Sequence, residues 1–239
     1  MTMKIALLGY GKMGKVIEGI AQERNHEIVL KINSQNRDLL TVENLRNADV
    51  AIDFSIPDTA FENVMIGLKA GIPVISGTTA WLDKLPEVEA FCKQGNGAFI
   101  YASNFSLGVN LFFELNKKLA DLMAPHDMYD ISMTEVHHTQ KLDAPSGTAI
   151  SLAEDLIEQV DRLNNWGLDQ KSEGVLNIHA DRIDPAPGTH IVHCKSAIDS
   201  IEISHTAHNR SGFALGAVIA SEWIAGKKGC FTMKDVLFS

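Results

Sequence analysis

Between Glu135 and Ala149 the chain reads Glu-Val-His-His-Thr-Gln-Lys-Leu-Asp-Ala-Pro-Ser-Gly-Thr-Ala, a stretch dense in groups that move protons or hold charge. His137 and His138 offer protons near neutral pH, and Lys141 supplies a point charge suited to a carboxylate or phosphate. Pro145 disfavours helix before it, Ser146 can cap a helix, and Gly147 lets a ligand approach the backbone. The unpaired N–H groups of the first turn, at positions 146 to 149, would then face outward and attract an anion. A lone histidine or lysine is usually just solvated, and Pro-Ser-Gly is an ordinary loop. Titratable groups seldom coincide with an anion-binding helix start, so the set is read as a site where an anionic substrate is held and protonated.

Two elements must position these residues. Tyr129, Ile131 and Met133 alternate towards Glu135, which predicts a strand delivering the histidines. Ala149, Leu152, Ala153, Leu156, Ile157, Val160 and Leu163 recur at helical spacing and predict the helix that Ser146 caps. Upstream, Val109, Phe112, Leu115, Leu119 and Leu122 mark a long helix ended by Pro125. Downstream, a polar segment from Asn164 to Glu173 precedes three strand-like runs, 175–183, 190–195 and 198–207. Together they predict an α+β domain with an open antiparallel or mixed sheet.

The first hundred residues have a different rhythm. The apolar run Ile5–Leu8 leads into Gly9-Tyr10-Gly11-Lys12-Met13-Gly14, then helix-spaced Val16, Ile17, Ile20 and Ala21, then Ile28-Val29-Leu30. This β–turn–α–β pattern carries the GxGxxG arrangement of a dinucleotide loop. Gly9 permits the turn, Gly11 admits a pyrophosphate, and Gly14 allows close packing, with the helix start aimed at the phosphates. Where an acidic residue would meet a ribose, the chain has Asn33-Ser34, with Lys31 and Arg37 nearby; this favours NADPH while allowing NADH. Further strands are expected at 49–54, 73–76 and 99–102, and Pro57 suits the first turn of the helix after the first of these. The turns Gly77-Thr78-Thr79 and Ala102-Ser103-Asn104-Phe105 follow the other two, at the sheet edge where ligands bind. A helix over 211–225 returns the chain to this Rossmann-like parallel-sheet α/β domain. The expected division is 1–104 with 211–239 for the dinucleotide and 105–210 for substrate and oligomerisation.

The bulk composition limits the alternatives. The 239 residues are 45% apolar and 21% charged, the balance of a globular protein. A formal charge of −9 and the lack of a long basic run argue against a nucleic-acid surface. No signal-peptide layout opens the sequence, and the apolar stretch near its end is interrupted by Glu222, so no membrane segment is expected. Cys92, Cys194 and Cys230 have no metal or disulfide spacing and are expected to be reduced, in a cytoplasmic protein. Five of the nine histidines lie between His179 and His208, but His190/His193 and His205/His208 are three apart on expected strands and point to opposite faces. With no clustered carboxylate visible either, no metal site is expected. Arg210, after the last strand, is the better candidate for a second substrate carboxylate; Arg182 is the lesser one.

With these segments in view the chain resembles 4-hydroxy-tetrahydrodipicolinate reductases (dihydrodipicolinate reductases) over nearly its whole length. The resemblance rests on Gly9–Gly14, Asp53-Phe54-Ser55, Ser76-Gly77-Thr78-Thr79, the Ala102–Val109 segment, and above all Glu135–His138 with Lys141–Ala149. It implies reduction of a small cyclic dicarboxylate by NAD(P)H in lysine and diaminopimelate biosynthesis. His137 would be the proton donor, Lys141 a second acid or substrate anchor, and His138, Gly147 and Thr148 carboxylate-binding groups. Cofactor contacts would come from the first glycine loop, Phe54, Gly77, Thr78, Thr79 and Ala102 to Phe105, and the assembly would be a homotetramer built through the second domain's sheet. Closure of the two domains over the substrate is a further expectation. The missing acidic residue at Asn33 and the partly matching 182–190 segment are departures from the family pattern. Another amino-acid-derived dehydrogenase would lack the paired histidines before a carboxylate-binding helix start, and a dinucleotide sensor would lack titratable groups at its cleft.

Overall fold

The computed structural model describes residues 2–209 and 211–239, without the side chain of Asn96. The chain divides into two units, 1–107 with 211–239, and 108–210.

In the first unit, strands β1 (Lys4–Leu8), β2 (Glu27–Ile32), β3 (Val50–Asp53), β4 (Val74–Ser76), β5 (Ala98–Tyr101) and β11 (Gly229–Phe231) form one sheet in the order β11-β5-β4-β3-β1-β2. Every neighbouring pair is parallel. Both faces are covered, which explains the continuous apolar runs. Ile5, Leu7, Ile52, Ile75 and Ile100 face helices α1 (Lys12–Glu23) and α7 (Ser211–Ile224). Ala6, Leu8, Ala51, Val74 and Phe99 face α3 (Pro57–Lys69) and the short α4 (Leu85–Phe91). The order reverses at β1, with β2 on one side and β3 on the other, and that reversal opens a crevice at the strand ends. Pro57 stands at the first turn of α3, as its fixed φ requires. Three short elements escape sequence periodicity: α2 (Val42–Leu45), β11 and α8 (Met233–Phe238).

The second unit holds a five-stranded mixed sheet in the order β10-β9-β6-β8-β7. Its strands are β6 (Asp130–His137), β7 (Asn165–Leu168), β8 (Val175–Arg182), β9 (Thr189–Lys195) and β10 (Ser200–Thr206). β6 runs parallel to β8 and antiparallel to β9. One face packs Ile131, Met133, Leu176, Ile178, Val192 and Cys194 beneath α5 (Leu107–Met123) and α6 (Gly147–Gln159). β7 corrects the expectation of a polar separator over 164–173: four residues containing a glycine are too short for alternation to show. No helix among the described residues is long and apolar enough to cross a membrane.

Candidate functional site

In the first unit, Gly9–Met13, Asn33, Ser34, Phe54, Gly77, Thr78 and Thr79 line one cavity of about 770 Å³ at the crevice beside β1. Gly9 has φ +99°, and a Cβ there would lie 2.2 Å from the Phe54 carbonyl oxygen, so only glycine makes this turn. At Gly11 an added Cβ would meet no protein atom within 4 Å. Packing therefore does not demand glycine at position 11, and the free space beside α1's start fits a phosphate-bearing ligand.

Thr78 serves the cavity indirectly. Its hydroxyl donates to Asp53 Oδ2 at 2.8 Å and accepts from Ser55 N, also at 2.8 Å. Asp53 is fully buried at the end of β3 and also accepts from Ser55, Asn63 and Ser76. Burial pushes its carboxyl pKa up, opposed by these four side chains. Asp53 thus ties together the loops after β3 and β4, a role that its position in the sequence does not reveal. The turn after β5 does not line this cavity: Phe105 is buried with its ring 5.8 Å from Phe54, and Asn104 accepts from Ser106 N.

The basic residues near Asn33 are differently placed from each other. Lys31 is paired with Glu18 at 2.5 Å and lies over the Tyr10 ring, while Tyr10 donates to the same carboxylate. Lys31 therefore has its charge engaged within the protein. Arg37 does line the cavity, held by Glu62 at 2.6 Å and Asn63 at 3.2 Å.

In the second unit, strand geometry assembles the proton-handling residues. Ile131, Met133, Glu135 and His137 alternate onto the buried face of β6, so Glu135 and His137 stand side by side. In register, Glu135 pairs with His190 on β9, and His137 pairs with Arg182 on β8. Arg182 Nη2 donates to Glu135 Oε1 at 2.9 Å and to the Asp143 carbonyl at 2.5 Å. Glu135 Oε2 accepts from Ser146 N at 3.0 Å and lies 3.7 Å from both His137 Nδ1 and His190 Nε2. Arg182, the lesser candidate from sequence, is therefore built into the site. Arg210, the preferred one, lies outside the described residues.

Burial works against Glu135's charge, but hydrogen bonds from Ser146 and Arg182 hold its pKa below the usual value. Burial lowers the His137 pKa; Glu135 opposes this, and Lys141 and Arg182 add to it. His190, with Nε2 3.1 Å from the Ser146 hydroxyl, is pushed down to about 4 by burial and by His137. Glu135, His137 and His190 bring ligand-type atoms within 4.8 Å of one another. That corrects the expectation of no clustered carboxylate, because spacing along one strand cannot show partners on adjacent strands. Both Glu135 oxygens already accept hydrogens and Arg182 adds a positive charge, so the trio is read as a proton network.

The helix start is narrower than the sequence implied. The Ser146 amide is spent on Glu135, and the Ala149 amide donates to the Ser146 hydroxyl. Gly147 and Thr148 show no amide partner among the described residues, so the start of α6 could accept an anion there. Lys141 Nζ is held by Asp143 at 2.8 and 2.9 Å. The backbone between His138 and Lys141 is closed by a turn, with Lys141 N donating to the His138 carbonyl at 3.1 Å.

Comparison with known proteins places the chain in a family. Residues 3–105 match the family model "Dihydrodipicolinate reductase, N-terminus", and residues 108–237 match "Dihydrodipicolinate reductase, C-terminus". The 4-hydroxy-tetrahydrodipicolinate reductase of Christiangramia forsetii is 54% identical over 237 residues, covering 98% of each chain. That of Methanosarcina barkeri is 35% identical, covering 95% of this chain and 82% of its own. A dipicolinate-bound dihydrodipicolinate reductase from a Paenisporosarcina species superposes with TM-score 0.80 at 24% identity, covering 100% of both chains, a likeness of fold. With both halves matched and a full-length relative more than half identical, the chain belongs to the dihydrodipicolinate reductase family, NAD(P)H-dependent oxidoreductases.

Proposed function

We propose that this chain reduces dihydrodipicolinate, or the 4-hydroxy-tetrahydrodipicolinate that yields it by loss of water, to tetrahydrodipicolinate in lysine and diaminopimelate biosynthesis. The observation that carries this reading is the β6–α6 segment, where His137, Lys141 and the free amides of Gly147 and Thr148 share one short stretch. The amides and Lys141 suit the carboxylates of the ring, and His138 is assigned to the same task. His137 delivers the proton that quenches the negative charge left when hydride adds to the conjugated ring. General-acid help of this kind contributes about 10²–10⁴ in rate. The reduced nicotinamide supplies the hydride; the protein's task is alignment and charge stabilisation.

We assign the dinucleotide to the cavity lined by Gly9, Gly11, Lys12, Met13, Asn33, Ser34, Phe54, Gly77 and Thr79. NADPH is the proposed preference, because Arg37 lines that cavity and no carboxylate stands at Asn33, while NADH remains usable. The homotetramer is proposed to form through the polar face of the second sheet, where Ser132, Asn177, His193 and Glu202 line a concavity of about 540 Å³. The direct test is to supply purified protein with enzymatically generated dihydrodipicolinate and follow the loss of NADPH and NADH absorbance. Turnover with both and a higher kcat/KM for NADPH is expected; no oxidation of either overturns the assignment.

A further inference from the structure

Among the described residues, Glu135 is the only fully buried carboxylate of the second unit. We propose that Glu135 is a positioning residue for the reaction: its carboxylate takes the Nδ1 hydrogen of His137, which leaves Nε2 as the atom that carries the proton to the substrate. This rests on the reductive function proposed above and names how its proton donor is held.

Four observations carry it. His137 Nδ1 is buried and has no hydrogen-bond partner among the described residues, and Glu135 Oε2 lies 3.7 Å away, on the same face of the same strand. That gap exceeds a hydrogen bond, as gaps between catalytic partners often do before substrate binds. Glu135 is itself anchored through Oε1 by Arg182 and through Oε2 by Ser146 N, so the carboxylate is fixed while the imidazole can adjust. On the other side of the ring the chain is cut back to glycine: a Cβ on Gly188 would come within 3.1 Å of Nε2. Finally, His190 packs edge-on to His137 at 5.1 Å and is held neutral near pH 7, so it does not compete as a second cation for Glu135.

The charged and titratable groups around His137 are Glu135 on its own strand, His190 on β9, Arg182 on β8, and Lys141 and Asp143 in the loop that follows. Burial, Lys141 and Arg182 disfavour an imidazolium and together keep the His137 pKa below its usual value; the Glu135 carboxylate, with Asp143, opposes them. In the step, imidazolium His137 breaks its Nε2–H bond as a new C–H bond forms on the hydride-reduced ring. It is left as the neutral Nδ1–H tautomer donating to Glu135, and Nε2 is reprotonated from water. A carboxylate behind an imidazole sets its tautomer and supports its positive form.

The test is ¹⁵N NMR of the His137 ring in the full chain across pH, for the unsubstituted protein, Glu135→Gln and Glu135→Asp. Neutral His137 should be mainly the Nδ1–H tautomer in the unsubstituted protein. In Glu135→Gln its proton affinity should fall about tenfold. The basic limb of the kcat/KM profile should move to lower pH with it, while the NADPH Kd stays unchanged. Glu135→Asp should restore the tautomer and most of kcat. A mainly Nε2–H tautomer in the unsubstituted protein overturns the proposal without any variant having to fold. So does a Glu135→Gln protein that melts earlier yet keeps the tautomer and the pH profile of His137, the result of a purely structural role. If dihydrodipicolinate is not reduced at all while the NMR results hold, the functional reading fails and the pairing stands.

Discussion

His190 pairs with Glu135 in the sheet register, yet its own protonation is suppressed to about 4 by burial and by His137. An unfolded histidine titrates near pH 6.5, so between pH 6.5 and 4 the unfolded chain binds more protons than the folded one. Stability therefore rises with pH across this window, and the penalty is absent above it. We predict that the unfolding free energy from urea titration falls, between pH 7 and pH 5, by about 2 kcal/mol more in the unsubstituted protein than in His190→Gln. Equal pH slopes would show that His190 is solvated rather than buried against His137. His137 stands out as a candidate in the sequence because two histidines and a lysine precede a helix cap. Glu135, Arg182 and His190 were not read as its partners, because adjacency across strands depends on register, which no spacing along a single strand encodes.

The two glycine positions of the first loop differ in what they demand of α1 and the turn before it. Gly9→Ala drives a Cβ into the Phe54 carbonyl and imposes a positive φ on alanine, at a cost of about 2 kcal/mol or more. Gly11→Ala meets only open space within the protein. The expected outcome is a large fall in melting temperature for Gly9→Ala, and for Gly11→Ala a normal melting temperature with NADPH affinity reduced at least tenfold. An NADPH Kd unchanged in Gly11→Ala would remove the pyrophosphate from that position. Strands β1 to β5 of the first sheet were readable because a sheet covered on both faces draws them from apolar runs. The short elements α2, β7, β11 and α8 were not, since their three to six residues are too few to show a period.

At the scale of the whole molecule, the chain carries two chemistries on two units. One holds a glycine-turn cavity lined by Arg37 and steadied by Asp53, and the other holds a buried carboxylate–imidazole network beside the capped start of α6. On the proposed function, the first unit would hold the hydride donor and the second would supply the proton and carboxylate anchorage. This division makes the functions separable by substitution. The measurement that bears most directly on the account is steady-state turnover of dihydrodipicolinate with NADPH by His137→Gln and Lys141→Ala, alongside calorimetric NADPH affinity. His137→Gln should lose about 10²–10⁴ in kcat, and Lys141→Ala should lose kcat and raise the KM for the dicarboxylate. Both should bind NADPH as the unsubstituted protein does. Unsubstituted-like rates in the two variants would contradict the account.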